Sequence, residues 1–134
     1  MAVDGSEHSR RAVSYAARRA QAMPCSVHLL HVEKDVMAWE VGPVSSGDDV
    51  ASLREADSVK VLDDGAHQFD PSTHVERHAV AGDPATAILD QASKLGVDEI
   101  ILGSRGLRPW GAVVLGSVAY KVLHDAHVAV VVVR

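Results

Sequence analysis
The chain has 134 residues, 47% apolar and 23% charged, with 13 basic against 18 acidic side chains and a formal net charge of −5. That length fits a single domain over 1–134 with a real core, the composition is that of an ordered globular protein, and the charge lacks the basic footprint of a general nucleic-acid binder. Cys25 is the sole cysteine, which excludes an intrachain disulfide and a multi-cysteine metal site.

No apolar run reaches the roughly 18 residues of a membrane helix. The opening has no basic segment leading into a long apolar stretch, so no membrane partner is expected and the expected location is the cytoplasm.

Met1-Ala2-Val3 is a short apolar strand that stops at the turn cluster Asp4-Gly5-Ser6. A helix follows, capped by Ser6, with Ala12, Val13, Ala16, Ala20 and Met23 on its inner face and Arg10, Arg11, Arg18 and Arg19 on its wet one. Pro24 ends it, and Cys25 is expected as a small buried residue. Ser26 to Val32 is a second strand. Gly42, Pro43, Ser45, Ser46 and Gly47 mark a loop, after which Leu53, Ala56, Val59, Leu62 and Ala66 recur near helical spacing from about Asp48 to Ala66.

Thr73 to Val80 carries apolar Val75 and Val80 but also His74, Glu76, Arg77 and His78, as an edge strand with a wet face would. Gly82-Asp83-Pro84 opens a third helix that carries Ala87, Ile88, Gln91, Ala92 and Leu95 and closes at Gly96. Val97 to Leu102 is the fourth strand. The last helix runs from about Gly116 to Asp125 with Val118, Ala119, Val122 and Leu123 inward, and Val128 to Val133 is the fifth strand. Strands alternating with helices imply a parallel sheet with right-handed crossovers and ligands beyond the carboxyl ends of the strands. Asp4 and Gly103 both fall at such ends.

Between the fourth strand and the last helix stands Gly103-Ser104-Arg105-Gly106, then nine residues, then Gly116-Ser117. Glycines let the backbone approach a ligand closely, and the free amides opening a helix suit an anion. Ser117 adds a hydroxyl at that terminus and Arg105 a fork of donors matched to phosphate oxygens. A P-loop would need Gly-Lys-Ser/Thr, and a dinucleotide fingerprint would need G-x-G-x-x-G after the first strand; neither is present.

These residues resemble the universal stress protein family, whose nucleotide-binding members carry G-x2-G-x9-G-(S/T) after the fourth strand. Gly103, Gly106, Gly116 and Ser117 match without a gap, and the likeness extends to Val3-Asp4-Gly5-Ser6, Leu29-Leu30-His31-Val32, Gly82-Asp83-Pro84 and the closing valine strand. The resemblance implies an α/β fold, a three-layer open sheet of five parallel strands in the order 3-2-1-4-5. It also implies a bound adenine nucleotide, ATP foremost or AMP or ADP, with Mg2+ accompanying the phosphates, in a stress-response or regulatory protein. Carried over by position, Ala2, Val3, Asp4 and Val32 would bracket the adenosine. Leu102, Gly103, Arg105 and Gly106 would follow the phosphates, and Gly116, Ser117 and Val118 would complete the cradle. Alternatives are a dimeric interaction module with an empty site and a slow ATP hydrolase.

Two departures stand against the family pattern. Only three apolar residues precede Asp4, which suggests a segment missing from the start. Leu107-Arg108-Pro109-Trp110-Gly111 stiffens the loop between the glycines, with Trp110 packed on the protein or stacked on a base or partner.

No side chain is placed as a general base, so turnover is expected to be slow or absent. Eight histidines invite a metal, yet the close pairs His28/His31, His74/His78 and His124/His127 have no recognised ligand spacing and no metal site is expected. The exposed apolar edge of Val128 to Val133 is expected to pair with a second copy as a homodimer.

Overall fold
A computed structural model describes residues 1–33, 47–106 and 115–134, and for 47–54 the backbone alone. Helices and strands alternate: α1 (Glu7–Ala22), β1 (Val27–Glu33), α2 (Gly47–Ala66), β2 (Val75–Ala81), α3 (Pro84–Leu95), β3 (Glu99–Gly103), α4 (Ser117–Asp125) and β4 (Ala129–Val133). The expected elements are all present within one or two residues except the leading strand. β1 pairs with β2 and β3 with β4, both in parallel, with Val27 opposite Val75 and Glu99 opposite Ala129.

Among the described residues four strands stand where five were expected, because Met1–Val3 is too short to form a ladder. Ala2 makes one parallel bridge to Leu30. Its N–H donates to the Ile101 carbonyl at 3.0 Å, and the Val3 N–H donates to the Leu30 carbonyl at 2.8 Å. The leading segment is thus bonded to β1 on one side and to β3 on the other.

Consecutive side chains of a strand point to opposite faces, and Leu29 and Leu30 divide the core accordingly. Leu29 joins Val13 of α1 and Leu62 of α2. Leu30 joins Ile88 of α3, Val122 of α4 and the β3 residues Ile100 and Leu102. Burying each of these leucines contributes about 1.5–3 kcal/mol.

The helix starts follow their capping chemistry. Ser6 accepts from the Ser9 N–H at 3.2 Å to open α1, and Asp83 accepts from the Thr86 N–H at 3.0 Å to open α3 behind Pro84. The Thr86 hydroxyl and amide, then the Lys121 ammonium, hold the Asp83 carboxyl down at about 2. Gly96 ends α3 in the left-handed region at φ 62°, where a Cβ is penalised.

Several side chains lie elsewhere than expected. Met23 is 61% exposed, because it is the extended residue by which the chain leaves α1. Cys25 is exposed rather than buried, since it lies on the surface connection between α1 and β1.

In α2 the buried stripe is Ser58, Leu62 and Ala66, four residues apart, and Val59 faces out at 53% exposure. A serine holds the inner position because its hydroxyl donates to the Glu33 carboxylate, and a buried polar group needs such a partner. In α4, Ala119 and Val122 fill the inner face and Leu123 is half exposed.

The Gly42 to Ser46 loop and the Leu107 to Gly111 segment with Trp110 lie outside the described residues. Among the described residues no helix is long and apolar enough to cross a membrane.

Candidate functional site
A cavity of ≈ 970 Å³ opens beyond the carboxyl ends of β1 and β3, where open parallel sheets hold ligands. Ala2, Val3, Asp4, Val32, Leu102, Gly103, Arg105, Gly106, Gly116, Ser117 and Val118 all line it. Residues from four separate stretches of chain therefore meet at one surface.

The β3-to-α4 side is built by close approach. A Cβ on Gly103 would sit 2.7 Å from the His8 carbonyl carbon and 2.9 Å from the Ser9 nitrogen, so the strand end passes directly over the first turn of α1. Ser104, next in the chain, is buried; its N–H donates to the Val133 carbonyl at 2.7 Å, and its own carbonyl accepts from the Gly116 N–H at 2.7 Å. That pair of bonds ties the glycine turn to β4 and to the mouth of α4.

Gly116 is the N-cap of α4 and supplies no side-chain bond. Among the described residues no side chain caps the first amides of the helix, and the dipole there favours an anion. Arg105 lines the same side and is partly exposed.

Asp4 stands between the two halves of the site. Its Oδ1 accepts from the Ser6 N–H at 3.0 Å, its own N–H donates to Ser9 Oγ at 3.2 Å, and Oδ2 lies 2.8 Å from where a Gly106 Cβ would be. On the β1-to-α2 side the lining includes Glu33, Asp57 and Ser58. Acceptors thus gather at one side of the cavity and donors at the other.

Sequence reasoning missed six of the lining residues with polar tips: Ser9, His31, Glu33, Asp57, Ser58 and Tyr120. His31 is buried, and its Nδ1–H donates to the Val3 carbonyl at 2.9 Å, which fixes both the tautomer and the leading segment. Glu33 and Ser58 bond each other, and Asp57 precedes Ser58. His31 and Glu33 flank Val32 at a strand end, and that placement was the available signal. Ser58 gave only a polar break in an apolar stripe.

The model of the universal stress protein family matches residues 1–134. A universal stress protein of Thermus aquaticus is 31% identical over 134 residues, covering 100% of this chain and 96% of that one. Among solved structures, the universal stress protein UspA from Lactobacillus plantarum superposes with a TM-score of 0.79 at 22% identity, over 99% of this chain and 94% of its own. A universal stress protein solved in complex with cAMP superposes at 0.76 and 22% identity, over 100% and 94%. With the family model matched from end to end, the chain belongs to the universal stress protein family.

Proposed function
We propose that this chain binds an adenine nucleotide, ATP foremost, with its phosphates at the Gly103 to Ser117 side of the cavity and its nucleoside toward Asp4, Val32 and Glu33. The observation that carries the reading is the α4 amino terminus, which opens into the cavity with no side-chain cap among the described residues and with Arg105 beside it. Ribose hydroxyls and the adenine amino group are donors and match the acceptors opposite. A relative of the same fold crystallised with cAMP supports the choice of an adenine ligand. Mg2+ would accompany the phosphates, and nucleotide occupancy would set the state of a regulatory domain.

Calorimetry with ATP, ADP and AMP tests this directly. Saturable heat from at least one of them, at up to millimolar concentration, is the expected result. An absence of heat from all three overturns the proposal and leaves the empty interaction module.

The same reading counts Met1–Val3 as the first strand and orders five parallel strands 3-2-1-4-5. The bonds from Ala2 to Ile101 and from Val3 to Leu30 support that order, and a crystal structure with the leading segment outside the sheet would remove it. A homodimer through Val128 to Val133 belongs to the reading as well. Among the described residues β4 has a ladder partner on one side only, and Val130 to Val133 remain partly exposed. Light scattering at micromolar concentration should report twice the chain mass, and a monomer there contradicts it.

A further inference from the structure
A second constellation lies toward the other end of the sheet. His28 is the second residue of β1, and the parallel register sets it opposite Glu76, with His78 two residues further along β2 on the same face. His28 stands about 16 Å along the strand from Glu33 at the nucleotide cavity. It is therefore separate from the site already described.

Three donor atoms converge there. His28 Nδ1 lies 3.1 Å from His78 Nε2 and 3.3 Å from Glu76 Oε2, and His78 Nε2 lies 3.7 Å from the same oxygen. Ligands about 2.0–2.1 Å from a tetrahedral zinc ion stand about 3.3 Å from one another. The three separations bracket that value, so an ion fits among them with small adjustments of the rings.

The carboxylate oxygen lies within ion-pair reach of both rings, so one oxygen and two ring nitrogens gather at one point. Glu76 is aimed by a further residue: its Oε1 accepts from His74 Nε2 at 3.0 Å, which directs Oε2 at the ring pair. Orientation of a ligating carboxylate by an outer hydrogen bond is the arrangement metal sites use. Burial first, and then the neighbouring His28, holds His78 below the ordinary imidazole range, with Glu76 acting in the opposite sense. A neutral ring is the ligating form.

We propose that His28, Glu76 and His78 form a binding site for a zinc-class divalent cation, with the fourth coordination position left to solvent. Two imidazoles and one carboxylate suit zinc and disfavour Ca2+ and Mg2+, which take oxygen. The side chains are 21%, 45% and 24% exposed, so an ion can enter from solvent and is partly sheltered once bound. Lys94 acts on His78 as a positive charge, and Glu76 offsets it at shorter range. Joining β1 to β2 through an ion would fasten one side of the sheet independently of nucleotide.

The test uses the untagged chain stripped of metal, titrated with Zn2+ against a chromophoric chelator, and in parallel with Co2+. One Zn2+ per chain with an apparent Kd at or below about 1 µM is expected, together with the visible absorption of four-coordinate Co2+. His28→Asn, His78→Asn and Glu76→Gln should each weaken binding by at least about tenfold, while His124→Asn with His127→Asn should not change it. Glu76 is the most exposed of the three, so Glu76→Gln keeps the test valid if a histidine variant fails to fold. Zinc bound no more tightly by the parent than by Glu76→Gln, or Co2+ without the four-coordinate spectrum, overturns the proposal.

Discussion
Gly103→Ala should lose about 3 kcal/mol of unfolding free energy, the upper part of the range for an overpacked site, and about 10 °C of Tm. The added methyl would stand 2.7 Å from the His8 carbonyl carbon, 2.9 Å from its oxygen and 2.9 Å from the Ser9 nitrogen. All three are backbone atoms of the first turn of α1, so no rotamer change relieves the contact. Nor can the helix back away freely. Ala12, Val13 and Ala16 are 0%, 2% and 5% exposed and fix it on the sheet, while Ser6 and Ser9 bind its first turn to Asp4.

The comparison variant is Gly96→Ala, where nothing among the described residues lies within 4 Å and φ is +62°. That substitution should cost only the left-handed penalty of about 1–2 kcal/mol. Urea unfolding of both variants checks the ranking, and a Gly103→Ala protein as stable as the parent would mean that β3 does not cross α1 at this distance.

Gly103 also shows how far the sequence could be read. Its place after an apolar strand and before a helix marked a ligand-facing turn, and the structure sets it on the cavity wall. Its second duty, clearing the backbone of α1, involves residues almost a hundred positions away and has no local signature. The same division recurs through the chain. Ser6 and Asp83 were readable as caps because a cap acts within three residues, and Leu29 and Leu30 were readable as strand residues from their composition.

Ser58 was not readable as an inner position, because its burial depends on Glu33 across the sheet edge. Leu123 looked as inward as Val122, and only the position of α3 and the sheet decides between them. The histidines are the clearest case. Pairing by sequence proximity joined His28 to His31 and His74 to His78, whereas the register of β1 against β2 joins His28 to His78 through Glu76.

Gly106→Ala should fail in the opposite way to Gly103→Ala, keeping the fold and losing the ligand. Among the described residues its added methyl would meet a single atom, Asp4 Oδ2 at 2.8 Å, at the tip of a side chain. Gly106 itself is exposed, so stability should stay within about 0.5 kcal/mol of the parent. The carboxylate cannot yield without consequence, because its other oxygen holds the Ser6 N–H at 3.0 Å. Turning it away removes an ionised acceptor from the centre of the proposed nucleotide site. A hydrogen bond to a charged group contributes about 1.5–3 kcal/mol, so adenine-nucleotide affinity should fall about ten- to a hundredfold.

A double-mutant cycle with Asp4→Ala isolates the cause. If Gly106 acts through Asp4, the double variant binds no more weakly than Asp4→Ala alone, because the methyl then has no carboxylate to displace. Strictly additive losses in calorimetry would mean that Gly106 acts on the ligand independently of Asp4 and overturn the route through the carboxylate.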